Sequence, residues 1–338
     1  MCKAVLTLAL GTLLLAGCGG DGGGDGDAKL TIYSGREEEL VAPLFERFEE
    51  ETGIDVEVRY GDSAELAATI SEEGDNTPAE VFFAQDPGSL GALEGNDRLA
   101  TLPDEILDRV DERFRDPDGH WTGTSGRVRV LVYNTDELDE SELPSSVLDL
   151  TGESWSGRIG IAPTNASFQA FVSAMVLSLG EERTREWLKG IKDNDPKLYE
   201  GNSQIVEAVA AGEIDVGLVN HYYLYLVREE QPDAPIENHF FPGEDPGALV
   251  SVAGAAVIDG ADDEGEAQQF VEFLLSDPSQ RFYVEEAEEA EYPLAGGIAP
   301  KAGLPPLSEL QGPQIELDEL GPQLERTLEL LNEVGLTT

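Results

Sequence analysis

Apolar positions switch repeatedly between two periods along the chain. "LTIY" (30–33) is a short apolar run followed by a tight "SG" turn. Leu40, Val41, Leu44, Phe45 and Phe48 then recur at helical spacing and predict an amphipathic helix over residues 36–52. "IDVEVRY" (54–60) alternates, placing Ile54, Val56, Val58 and Tyr60 on one face of a half-buried strand, and the three segments together form a βαβ unit. A second helix should begin at a cap, Asp62 or Ser63, and stop at Gly74. The strand "AEVFFAQ" runs into Asp86 and Pro87, a capping residue followed by proline at the first helical position. "GRVRVLVYN" reads as a strand, "GRIGIAPTNASF" as strand, turn and helix start, and "ERTREWLKGI" as an amphipathic helix. "GNSQIVEAVAAGEIDVGLVNHYY" gives helix, strand and helix. Residues 248–258 form a late strand, "EAQQFVEFLLS" a helix, and Leu324, Leu328, Leu331 and Val334 mark the last helix. Strands alternating with helices predict an α/β fold, with parallel sheets covered by helices on both faces.

The first 28 residues follow neither period. Residues 1–17 carry Lys3, an apolar run and then small residues, the build of a secretory signal. The run is too short for the roughly twenty residues of a membrane span. "LAGC" (15–18) resembles the bacterial lipobox, in which Cys18 becomes the lipidated first residue. "GGDGGGDGDA" (19–28) then reads as a flexible tether. The mature chain is therefore expected outside the cytoplasmic membrane, held to its outer face by lipid alone. Cys2 leaves with the signal and Cys18 is acylated, so no disulfide is available and the core alone must hold the fold.

Charge narrows the partners. The formal net charge is −48, and loss of residues 1–17 removes only Lys3, leaving 20 cations against 69 acids. Nucleic acid is excluded, because phosphate binding needs clustered Lys and Arg. The acids are spread through the sequence, which suits a solvated surface in high salt, where self-repulsion is screened. Catalytic signatures are absent: no G-x-S-x-G, P-loop, H-E-x-x-H or C-x-x-C occurs. His120, His221 and His239 have spacings that suggest no shared metal site, and acid pairs carry no signal among 69 acids.

The most informative chemistry is "VNHYYLYLV" (219–227), where Tyr222 and Tyr223 follow a buried strand. On a strand they would point to opposite faces. In the first turn of a helix they lie about 100° apart and can converge on one ligand. Asn220, at the strand end, can cap that helix or reach the ligand. Ligands of open α/β sheets gather beyond the carboxyl ends of strands, where this pair falls. A helix that buries its aromatics, with Tyr225 joining the stripe, explains the same residues. In "PTNASF" (163–168) a strand gives way to a helix start with free N–H groups, attractive to carbonate or phosphate, while Thr164 or Asn165 can simply cap it. Arg127, Arg129 and Tyr133 share strand parity and should point together.

Several separate motifs occur in an order that carries a resemblance. From "LTIYSGREEELVAPLFERFEEETGIDVEV" through "GNSQIVEAVAAGEIDVGLVNHYY" and "DPGALVSVAGAAVI" to "AEYPLAGGIAP", the chain resembles the ferric-iron-binding solute receptors of ABC transporters. The resemblance implies a bilobed type II periplasmic-binding-protein fold. Its two α/β domains would comprise residues 29–127 with 253–303 and residues 128–252 with 304–338, joined by crossover strands near residues 126–130 and 250–253. It implies further that Tyr222 and Tyr223 bind Fe(III), with Tyr133 matching a third tyrosine ligand of some branches. Fe(III) is a hard ion that favours anionic oxygen and must displace the phenol proton, whose pKa is about 10.

The rest of the ligand set departs from parts of the family. Glu37 stands where some members have a histidine ligand, and Gln85 where some have a glutamate. Glu37 is thus either a metal ligand or a charge in a first helical turn, and Gln85 a residue supporting the site. A synergistic anion, carbonate or phosphate, would complete coordination. Its candidate contacts are Arg36, Arg127 and Arg129, the loop residues Thr164, Asn165 and Ala166, and Asn202 and Asn220. The expected role is a monomeric Fe(III) receptor that delivers cargo to an ABC permease and performs no chemistry. A receptor for another small anion or organic solute, and an extracellular hydrolase using carboxylates, are the competing readings. The tyrosine cluster argues against the former and the missing catalytic signatures against the latter.

Overall fold

The computed structural model describes residues 29–286 and 290–337, so the expected signal, Cys18 and the tether lie outside the described residues. The strands are β1 (Leu30–Ser34), β2 (Val56–Tyr60), β3 (Val81–Ala84), β4 (Thr122–Asn134), β5 (Ile159–Ile161), β6 (Lys197–Leu198), β7 (Val216–Asn220), β8 (Ile236–His239), β9 (Val250–Val257) and β10 (Tyr292–Pro293). The α-helices are α1 (Glu38–Thr52), α2 (Ser63–Glu73), α3 (Pro87–Glu94), α4 (Asp104–Leu107), α5 (Ala166–Leu179), α6 (Glu181–Asp193), α7 (Asn202–Ala210), α8 (Tyr223–Glu230), α9 (Glu264–Leu274), α10 (Asp277–Glu285) and α11 (Leu320–Val334).

Hydrogen-bonded neighbours run β2-β1-β3-β9-β4-β7-β5-β6, with β8 and β10 also on β4. The expected parallel pairing holds at the two ends, where β1 joins β2 and β3, and β5 joins β6 and β7. It fails in the middle: β9 and β4 pair antiparallel with each other and with their outer neighbours, so the sheet is mixed. The cause is β4, a 13-residue strand buried throughout. Its first part pairs with β9 as far as Val128↔Val250, and from Arg129↔Asn220 onward it pairs with β7. The Arg129 N–H donates to Leu249 O at 2.8 Å across this change of partner. The change falls where crossover strands are expected. Gly123 and Gly254 face each other in the β4–β9 ladder. A Cβ on Gly254 would lie 2.8 Å from Thr122 O of β4, so only glycine lets the strands approach here.

Local signals set the flanking helices. Asp62 caps α2, accepting the N–H groups of Ala64 at 2.9 Å and Glu65 at 3.2 Å, and Gly74 ends the helix. Asp86 caps α3 through the Ser89 N–H at 2.9 Å, with Pro87 at the first position. Val41, Leu44, Phe45 and Phe48 of α1 are buried, and Phe45 and Phe48 pack against Phe270 of α9. The last helix departs from its pattern. Leu324 and Leu328 are exposed, while Leu320, Thr327, Leu330, Leu331 and Val334 are buried, because α11 packs on both α5 and α3 and presents a stripe rotated from the expected one. Among the described residues no helix is long and apolar enough to cross a membrane.

Candidate functional site

β7 delivers the chain to the tyrosine pair, and a histidine fixes its exit. His221 is fully buried and donates its backbone N–H to Val128 O at 2.9 Å. Its Nδ1 accepts the Val128 N–H at 3.2 Å, which assigns the proton to Nε2, donating to Ala290 O at 3.1 Å. Burial pushes the imidazole down to about 4, outweighing the support of the Ala290 carbonyl and Glu291 for the charged form. A neutral ring with both nitrogens engaged is no metal ligand; it is a clamp between β4 and the segment before β10. Asn238 Nδ2 holds the next carbonyl, His221 O, at 2.7 Å.

Beyond this clamp Tyr222 takes the cap position of α8 and Tyr223 its first turn. Their rings stack with centroids 4.3 Å apart and planes 30° off parallel. Tyr222 is buried and Tyr223 half-buried. The helix start thus brings the phenols together. Asn220 caps nothing: it stays in β7 opposite Arg129.

Arg129 lies beside the pair. Its guanidinium donates to Ser167 Oγ at 3.1 Å, Asn202 Oδ1 at 3.4 Å and Leu218 O at 2.6 Å, and its charge interacts with Tyr223 and Tyr222. Those three partners are neutral, and among the described residues no carboxylate forms an ion pair with Arg129. Burial lowers its pKa to about 9, against the opposing effect of the two tyrosines. Its Nε is buried without a partner. Asn165 caps α5, its Oδ1 accepting from Ser167 N at 3.1 Å, Ser167 Oγ at 2.6 Å and Asn202 Nδ2 at 3.1 Å. The start of α5 is thereby tied to Asn202, the first residue of α7. Two helix N-termini and an unneutralised guanidinium make this region favourable to negative charge. Thr164 and Ala166 are exposed on the same turn, where Ala166 is the first residue of α5.

Arg36 and Arg127 have a different fate. Glu291, fully buried, binds Arg36 through two bonds of 3.4 and 3.0 Å and lies 3.7 Å from Arg127 Nε. Burial alone would push this carboxyl up; Arg36 and Arg127 together overcome that and hold it below the usual carboxylate range. Arg36 also donates to Ser125 Oγ at 3.2 Å, and Arg127 to the carbonyl of Gln85. The two guanidiniums thus share one carboxylate of the chain itself. Gln85 contributes backbone, its N–H going to Ser63 Oγ at 2.9 Å.

Tyr133 lies farther along β4 than Arg129. It stands opposite Val216, four positions along β4 from the Arg129↔Asn220 pair, about 13 Å at strand rise. It lines a separate cavity of about 540 Å³ with Glu140, Leu143 and His239. Burial, with Glu140 and Glu237, pushes its phenol up, which opposes the phenolate form. Shared parity does not bring Arg127, Arg129 and Tyr133 together, because a long strand distributes them among three neighbourhoods. Glu37 is exposed at the cap position of α1 and caps nothing. Two site residues escape the sequence: Ser167, whose only signal is its place two residues after a capping Asn165, and Glu291, which sits in a run of acids with nothing to single it out.

Comparison with known proteins gives the family and the fold. Residues 76–310 match the family model described as bacterial extracellular solute-binding protein. The chain is 33% identical over 312 residues to the Fe(3+)-binding periplasmic protein of Serratia marcescens, covering 92% of this chain and 91% of that one. It superposes on iron-bound HitA from Pseudomonas aeruginosa with TM-score 0.81 and 37% identity, covering 91% and 99% of the two chains. The Trichodesmium protein IdiA (FutA), in complex with iron and citrate, gives TM-score 0.82 at 28% identity, with 92% and 100% covered. The fold is therefore the bilobed periplasmic-binding type, and the chain belongs to the bacterial extracellular solute-binding protein family.

Proposed function

We propose that this chain captures ferric iron outside the cytoplasm and hands it to an ABC permease, as a binding protein that catalyses nothing. The observation that carries the proposal is the stacked Tyr222–Tyr223 pair beside Arg129, a buried cation with only neutral partners. Two phenolates are hard anionic oxygen donors, and the Arg129 charge lies beside them. Asn165, Ser167, Asn202 and the α5 N-terminus would hold the synergistic anion, carbonate or phosphate, with Asn220, Thr164 and Ala166 at its margin. Relatives named for ferric iron, and neighbours with iron bound, support the cargo. Lobes comprising residues 29–127 with 253–303 and 128–252 with 304–338 would close over it about the β4 and β9 crossover, a hinge movement. Glu37, on the exposed start of α1, is free to approach from the opposite lobe on closure. Lipid on Cys18 would keep the receptor near its permease, and the acid-rich surface suits a saline medium.

Titration of the tag-free mature protein with Fe(III) citrate in carbonate buffer tests this proposal. One saturable equivalent is expected, with affinity falling in acid because protons compete for the phenolates. A protein that takes up no iron above the citrate background contradicts it.

A further inference from the structure

A second set of metal-ligating side chains lies away from the tyrosines, on the hairpin before β4. Glu94, the last residue of α3, meets Asp116 and His120 there, with one donor atom of each lying within 4.8 Å of the others. His120 Nδ1 is 3.2 Å from Asp116 Oδ2 and 3.9 Å from Glu94 Oε1. Two ligands each about 2.1 Å from one ion are roughly 3.0 to 3.4 Å apart at octahedral or tetrahedral angles, so the three need little movement to share a cation. The turn is built to hold them: Asp116 Oδ2 accepts the His120 N–H at 2.7 Å, and the Asp116 side chain is only 1% exposed.

A fourth group points the same way. Asp318, in the segment leading into α11, places its charge on both Glu94 and Asp116. Its Oδ1 is enclosed and accepts no hydrogen bond. An enclosed carboxylate oxygen among acids is costly, and a nearby cation would relieve that cost. Among the described residues, the ion pairs formed by Glu94 and Asp116 are with His120 alone, and no Lys or Arg pairs with Asp318. Burial, then Asp116 and Asp318, push the Glu94 carboxyl up against the opposing effect of His120. The neighbouring group Glu316, Asp318 and Glu319 is acids alone, mostly exposed, and carries no separate site.

We propose that Glu94, Asp116 and His120 form a second cation site for a first-row divalent ion such as Zn²⁺ or Mn²⁺, with the charge of Asp318 adding to its negative field. One imidazole among carboxylates favours such ions over Ca²⁺ or Mg²⁺, which take oxygen alone. The site ties α3 to the hairpin, so occupancy stabilises that corner of the fold. It is independent of the ferric site.

Isothermal titration of the EDTA-stripped, tag-free protein with ZnCl₂ tests it, in molar NaCl with excess Mg²⁺ to suppress loose binding to acidic surface. The Tyr222→Phe background removes competition from the tyrosines. One saturable equivalent is expected, accompanied by a raised melting temperature. His120→Gln and Glu94→Gln should each weaken it at least ten-fold, and both side chains are accessible enough to substitute without unfolding the protein. Binding that disappears in Tyr222→Phe, that is unchanged in both hairpin variants, or that never saturates, overturns the proposal.

Discussion

Arg36 with Arg127, and Arg129, are buried cations on either side of the point where β4 changes partner, and they are neutralised in opposite ways. The first two enclose Glu291, a carboxylate supplied by the chain itself. Arg129 is given only a hydroxyl, an amide and a carbonyl oxygen. Both regions cost desolvation energy, and only the first meets a carboxylate supplied by the folded chain. The second leaves positive charge directed at two phenols and two helix starts, so external negative charge completes it. A binding site here is a place where the fold leaves an electrostatic deficit, and the pair at Glu291 is the internal control.

That contrast can be broken at its strongest point. Glu291→Gln removes the buried carboxylate that Arg36 and Arg127 share and should lower unfolding free energy by about 3 to 5 kcal/mol, measured by urea denaturation in molar NaCl. A loss under 1 kcal/mol would mean that water, rather than Glu291, neutralises the pair.

His221 sharpens the comparison, since it joins the two regions through Val128 and Ala290. Its folded pKa of about 4 lies below the unfolded value near 6.5. Its contribution is thus complete above pH 6.5 and declines as pH falls toward 4, by about 3 kcal/mol in all. His221→Asn should lose that part of the pH dependence when urea unfolding is compared at pH 7 and pH 4.5. An unchanged slope would contradict the buried neutral imidazole. Arg129→Met should act mainly on ligand: iron affinity falls at least ten-fold, while stability falls less than in Glu291→Gln. A variant that binds iron normally removes the guanidinium from the account.

Much of this contrast was hidden in the sequence, for reasons that differ by residue. The Tyr222–Tyr223 pair was legible because a strand end followed by a helix start constrains both rings to one side. Caps at Asp62, Asp86 and Asn165 were legible because their chemistry is local. Glu291 was not, since one acid among 69 acquires meaning only when the fold carries it to two arginines far away in the chain. The shared parity of Arg127, Arg129 and Tyr133 gave a face but not a position along a 13-residue strand. His120 likewise gave no hint, as its partner Glu94 comes from another element.

The most direct test of the central claim is the visible spectrum of the protein titrated with Fe(III) citrate, compared with Tyr222→Phe and Tyr133→Phe. The account predicts a phenolate-to-iron absorption band that saturates at one equivalent, is lost or strongly reduced in Tyr222→Phe, and persists in Tyr133→Phe. A band unchanged in Tyr222→Phe, or abolished in Tyr133→Phe, would contradict the site described at the start of α8.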